Sequence, residues 1–225
     1  GPDVVALQEV RDFETCERLA LEAGELKVVV CSRFREFGGT LGWQQVAILA
    51  KSDAVSGWSE NWATAGAIDV PRGFAFAHLR YGTNDVAVYA LHLKSNLVRD
   101  SNEKSVQLNL LKRELAAEQL VRHLRATETK LNERFEVVVV AGDFNTNREQ
   151  FPSELTLGTL ESEGFSSGFE SVPLAERITH LGGGRFADAT FDYVFTRGAR
   201  AARVPMVLRS TVSDHFPVSR TISLR

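Results

Sequence analysis

The sequence predicts a layered α/β protein in which apolar strands lie sandwiched between other layers. Three observations lead there. Several short β-branched runs are apolar at odd and even positions alike, as in strands covered on both faces. Only two segments have helical periodicity. The 225 residues contain no internal repeat, low-complexity tract or linker, so residues 1–225 read as one domain. A chain of this length can bury about 70% of its extended surface.

In chain order, Val4-Val5-Ala6-Leu7-Gln8-Glu9-Val10 reads as a core strand. Residues 12–23 follow as an amphipathic helix with Phe13, Cys16, Leu19 and Ala20 on one side. Residues 37–42, rich in glycine, read as a loop, residues 45–50 as a strand, and residues 56–66 as another loop. Residues 74–79 and Val86-Ala87-Val88-Tyr89-Ala90-Leu91-His92-Leu93 are strands, the second doubly buried. A helix over roughly residues 101–124 places Leu108, Leu111 and Leu115 on one stripe, continued by Ala117, Val121 and Leu124. Val137-Val138-Val139-Val140-Ala141 is the most apolar strand. Gly182-Gly183-Gly184 is a turn that lacks the Lys-Ser/Thr of a phosphate loop. Residues 191–196 and 216–224 close the chain as partly alternating strands.

Charge narrows the function. Twenty-six Lys and Arg against 29 Asp and Glu give a net charge of −3, which removes the basic footprint of a domain that holds nucleic acid by charge alone. Arg33, Arg35 and Arg72 are candidate contacts beside loops. The two cysteines, Cys16 and Cys31, have no zinc spacing and suggest no disulfide framework. No apolar run approaches the ~18 residues of a spanning helix.

The chemistry gathers where core strands end. Glu9 and His92 each lie near the end of an apolar strand. Asp143 and Asn145 follow the most apolar one, and the two-residue side-chain period aims them the same way while Phe144 points opposite. Asp192 sits between Phe191 and Tyr193, and Asp214-His215 precedes Phe216-Pro217-Val218. Any one of these is more simply a turn cap. Together, carboxylates, an amide and imidazoles at the ends of separate buried strands require pairing or a metal. Oxygen ligands suit a hard divalent cation such as Mg²⁺, which clamps phosphate oxygens.

Five segments in order, Pro2-Asp3-Val4-Val5-Ala6-Leu7-Gln8-Glu9-Val10, Ala90-Leu91-His92-Leu93-Lys94, Ala141-Gly142-Asp143-Phe144-Asn145-Thr146, Phe191-Asp192-Tyr193-Val194 and Ser213-Asp214-His215-Phe216-Pro217-Val218, resemble the endonuclease/exonuclease/phosphatase superfamily of deoxyribonuclease I-like enzymes. The resemblance implies a four-layer α/β sandwich, two packed mixed sheets flanked by helices. It implies Glu9 as the principal Mg²⁺ ligand (Mn²⁺ a substitute) and Asp214 as an acidic residue near the metal. Asp143 with Asn145 would orient and activate the attacking water, His215 would bind the scissile phosphate, and Asp192 would orient that imidazole. His92 matches a second histidine, a candidate proton donor to the leaving oxygen. Lys94, more simply a solvated lysine, and His180 are lesser candidates for substrate contact. The family also carries an Asn on a strand upstream of Gln8-Glu9, so the native chain is expected to extend beyond Gly1.

The expectation is a monomeric, Mg²⁺-dependent phosphodiesterase or nuclease, with phosphomonoester, phospholipid and inositol-phosphate hydrolysis as alternatives of the same superfamily and nucleic acid as one possible partner. Two other readings are weaker. Gly164-Phe165-Ser166-Ser167-Gly168 fits a serine-hydrolase elbow in letters but not in context. A binding module without turnover would tolerate loss of Asp143.

Overall fold

The computed structural model describes residues 1–35, 39–98, 102–132, 134–184 and 186–224. Among these residues twelve strands and three α-helices follow in the order β1 (Val4–Val10), α1 (Phe13–Ala23), β2 (Lys27–Cys31), β3 (Gln45–Ala50), β4 (Ala54–Asn61), β5 (Gly73–Tyr81), β6 (Asn84–His92), α2 (Glu103–Leu131), β7 (Val137–Asp143), α3 (Thr156–Ser162), β8 (Asp192–Arg197), and the two-residue strands β9 (Ala201–Ala202), β10 (Met206–Val207), β11 (Val218–Ser219) and β12 (Ile222–Ser223).

A five-stranded sheet runs β4-β5-β6-β7-β8, parallel only between β6 and β7. A three-stranded antiparallel sheet runs β1-β3-β2. Side-chain alternation builds the layers. Val30, Val46, Ile48 and Ala50 of the small sheet meet Ala75, Ala77, Leu79, Val86, Val88, Ala90 and Val137 of the large one. The outer face of the small sheet, Ala47 and Leu49, packs on Cys16 and Ala20 of α1. The outer face of the large sheet, with Phe74, Phe76, Tyr89, Val138, Val140 and Phe195, packs on Leu120, Val121 and Leu124 of α2 and Leu157 and Leu160 of α3. The result is four layers, α1, small sheet, large sheet and α2 with α3. Cys16 and Cys31 are free, their sulfurs 3.8 Å apart. No helix among the described residues is long and apolar enough to cross a membrane.

Helix α1 starts where expected, because the Asp12 side chain accepts the Thr15 amide at 2.8 Å. The structure corrects several sequence expectations. β1 is an edge strand of its sheet and only half-buried, not a doubly covered core strand. The segment read as a loop at 56–66 is largely β4, whose polar residues lie exposed at the edge of the large sheet and are ordered by pairing with β5. The stripe expected on α2 holds only in part: Leu108 and Leu111 are exposed and Asn109, Arg113, Ala116 and Leu120 turn inward, while Leu115, Ala117, Val121 and Leu124 face the core as expected. Arg113 tolerates complete burial because Glu154 takes its guanidinium in a two-point pair, at 2.9 and 2.6 Å, and Lys94 O accepts a third bond at 3.0 Å. α2 also continues to Leu131, well past the expected end. Phe13 and Leu19 are likewise exposed on α1. The strand expected at 216–224 is broken into β11 and β12. Residue 101, and residues 37 and 38 of an expected loop, lie outside the described residues. The serine of the elbow pattern follows α3 rather than a strand, the wrong context for that motif.

Candidate active site

Register brings the first three candidates together. His92 at the end of β6 lies opposite Asp143 at the end of β7, and Asp143 lies opposite Asp192 at the start of β8. Residues directly opposite project to the same face. Ala90, Val88 and Val86 share the parity of His92 and fill the space between the sheets, so this row looks into the edge of that space. Phe144 points the other way, against Tyr193 and Phe195 at ring distances of 5.5 and 5.3 Å. Gly142 is required just before Asp143: a Cβ there would lie 2.0 Å from Leu91 O, and its φ is +146°.

Glu9 reaches the row from the other sheet by a route the two-residue period does not foresee. Strict alternation would put it beside Leu7, which faces α1. The register of β1 instead slips between Leu7 and Val10, and Glu9 adopts φ 55°. This bulge re-aims the side chain, bringing Oε1 to 3.9 Å from His92 Nε2, whose distance to Asp143 Oδ2 is 3.4 Å.

Asn145 encloses the Asp143 carboxylate. Its backbone N–H donates to Oδ1 and its Nδ2 to Oδ2, both at 2.7 Å, from a left-handed backbone of φ 53° that such a tight loop imposes. Asp192 Oδ2 bonds His215 Nδ1 at 2.8 Å. The hydroxyl of Thr179, a fully buried residue, accepts the amides of Phe191 and Asp192. His180 forms a β-bridge with His215 and packs on its ring at 4.7 Å. Lys94 is half-buried, its Nζ donating to Ser95 O at 3.2 Å. Asp214 stays apart: its carboxylate is exposed, 4.0 Å from His180 Nε2 and without a contact to Glu9 among the described residues. Of the loop arginines, Arg72 enters the site, donating to His92 O and Leu93 O.

Electrostatics gives the two central imidazoles opposite states. Burial, reinforced by Arg72, His215 and Lys94, pushes His92 down to about 3, so it is neutral. Burial also opposes charge on His215, but the Asp192 bond and the charges of Asp192, Asp143 and Asp214 outweigh it and raise it to about 9. Burial, then the charge of Asp192, pushes the Asp143 carboxyl well above the carboxylate range. Such crowding of buried negative charge favours a cation: carboxylate oxygens of Asp143 and Asp192 lie within 4.8 Å of each other and of a ring nitrogen of His215, which as a cation adds no ligand of its own.

The profile of the endonuclease/exonuclease/phosphatase family matches residues 1–215. The chain belongs to that family. It is therefore a phosphoesterase by descent, and enzymes of the family generally depend on a divalent metal. Solved structures share the fold. An endonuclease/exonuclease/phosphatase family protein from Leptotrichia buccalis C-1013-b is 16% identical, with TM-score 0.65 over 99% of this chain and 87% of that one. Sphingomyelinase C from Streptomyces griseocarneus is 20% identical at TM-score 0.66 over 99% and 87%. A 3'-5' exonuclease from Neisseria meningitidis is 17% identical at 0.61 over 99% and 90%. No curated protein sequence matches the chain.

Proposed function

We propose that the chain is a Mg²⁺-dependent phosphodiesterase of nuclease type, with Mn²⁺ able to replace Mg²⁺. The observation that carries this reading is the row His92, Asp143, Asp192 on three adjacent strands, with Glu9 facing it from the second sheet and His215 fixed on Asp192. Glu9 and Asp143 would hold the ion at the edge between the sheets; Asp192 is less suited because its Oδ2 is engaged by His215. When bound, the ion supplies positive charge to the phosphate oxygens.

The chain's own residues do the rest. Asp143 takes the proton of the attacking water as the ionised carboxylate. Asn145 keeps that carboxylate in place through two bonds. His215, a cation near neutral pH, meets the charge developing on the phosphate oxygens, with Asp192 holding its ring and Asp214 adding to the field that keeps it charged. His92, neutral in the free chain, contributes a hydrogen bond toward the leaving oxygen rather than a full proton. His180 and Lys94 flank the site as substrate contacts.

The test is hydrolysis of supercoiled DNA, single-stranded RNA, an activated phosphodiester, a phosphomonoester and an inositol phosphate by wild type and Asp143→Ala. Diester cleavage that falls by ~10²-fold or more in the variant, with unchanged circular dichroism, is expected. Turnover of the monoester or inositol phosphate alone would overturn the diesterase assignment.

A further inference from the structure

Four residues other than glycine have positive φ among the described residues. Asn132 caps α2, and the other three, Glu9, Arg72 (φ 64°) and Asn145, meet at the site. Strained backbone of this kind persists where surrounding bonds over-determine it, and the bonds here form one chain. Arg72 lies immediately before β5. Its Nε donates to His92 O at 2.9 Å, its Nη2 to Leu93 O at 2.5 Å and its Nη1 to Gln44 Oε1 at 2.7 Å. Gln44 in turn donates Nε2 to Glu9 Oε1 at 2.9 Å.

The direction of this relay is fixed by chemistry. A guanidinium only donates and a carboxylate only accepts, so the Gln44 amide between them must turn its oxygen to Arg72 and its NH₂ to Glu9. Gln44 is the one hydrogen-bond donor to the Glu9 carboxylate among the described residues. The Glu9 side chain is 62% exposed, so without that bond its torsions are free and must be frozen when an ion binds. Leu93 O accepts Asn145 Nδ2 as well as Arg72, so the same brace touches both sides of the site.

We propose that Gln44 and Arg72 are positioning residues that hold the Glu9 carboxylate ready for the metal, and that Gln44 thereby sets the affinity for the divalent ion. The inference rests on Glu9 being a metal ligand. Gln44 is exposed, so its replacement leaves the packing intact.

Binding of Mn²⁺ alone to the full chain, read from the electron paramagnetic resonance signal of free Mn²⁺, tests it in wild type, Gln44→Ala, Glu9→Gln and the double variant. Gln44→Ala should weaken Mn²⁺ binding by about tenfold, and the activity lost at low Mn²⁺ should return as Mn²⁺ is raised. In the Glu9→Gln background the same change should have no further effect, because the group it positions is gone. Arg72→Lys, which keeps the charge but not the three-way fork, should fall between wild type and Gln44→Ala. Wild-type affinity in Gln44→Ala beside a loss in Glu9→Gln would overturn the positioning role, as would additive losses in the double variant. Wild-type affinity in Glu9→Gln would instead overturn the reading of Glu9 as a ligand.

Discussion

Replacing Asp192 with Asn should uncouple His215 from the charge that keeps it protonated. The hydrogen bond and the charge of Asp192 are the largest influences raising His215 from 6.5 to about 9, and burial opposes them. With the carboxylate neutralised, only the charges of Asp143 and Asp214 still oppose burial, and the imidazole should titrate well below 9, back toward its ordinary 6.5. At pH 7.5 a full return to 6.5 takes the cationic fraction from about 97% to about 10%, a loss of roughly tenfold in the active form before any loss of orientation is counted. The direct assay is the His215 ring proton followed by NMR against pH in the metal-free chain, with the pH profile of kcat/KM as the functional counterpart. Linkage gives the sign for stability: the folded value is raised, so His215 stabilises the fold fully below pH 6.5, and this contribution disappears as pH rises through about 9. A titration midpoint in Asp192→Asn that stays near 9 would refute the reasoning, since no other group bonds the ring among the described residues.

Three further outcomes follow from the same structure. Mg²⁺ binding at neutral pH should release a proton, because burial and Asp192 hold the Asp143 carboxyl partly protonated in the free chain; calorimetry in two buffers of different ionisation enthalpy reads this. Arg113→Met should cost about 3–5 kcal/mol by stranding Glu154 in the core, or roughly 6–20 °C in Tm, and adding Glu154→Leu should recover most of it. Gly142→Ala should prevent native folding, as its methyl would sit against Leu91 O; a folded, active variant by circular dichroism and assay would contradict this.

Much of the candidate site was legible in the sequence because residues 86–91 of β6 and 137–141 of β7 are apolar throughout. His92 and Asp143 stand out at the ends of such strands, and the period of two correctly separates Asp143 and Asn145 from Phe144. Glu9 was legible as a candidate but not in its direction, since the bulge that turns it depends on the register between β1 and β3. Gln44 and Arg72 were not legible in their roles, because what makes them matter is contact across 35 and 28 residues of chain, and an exposed glutamine beside a loop carries no pattern. β4 was missed for a related reason: its polar residues form a strand only because β5 offers a partner. The buried Arg113 of α2 was not legible, because its burial depends on Glu154, 41 residues further along the chain.

The most direct test of the central claim is cleavage of an activated phosphodiester and of supercoiled DNA by the full protein in Mg²⁺, before and after EDTA, alongside Asp143→Ala. The account predicts cleavage that stops with chelator, returns with added Mg²⁺ and is lost in the variant. Cleavage that survives both EDTA and Asp143→Ala would contradict it.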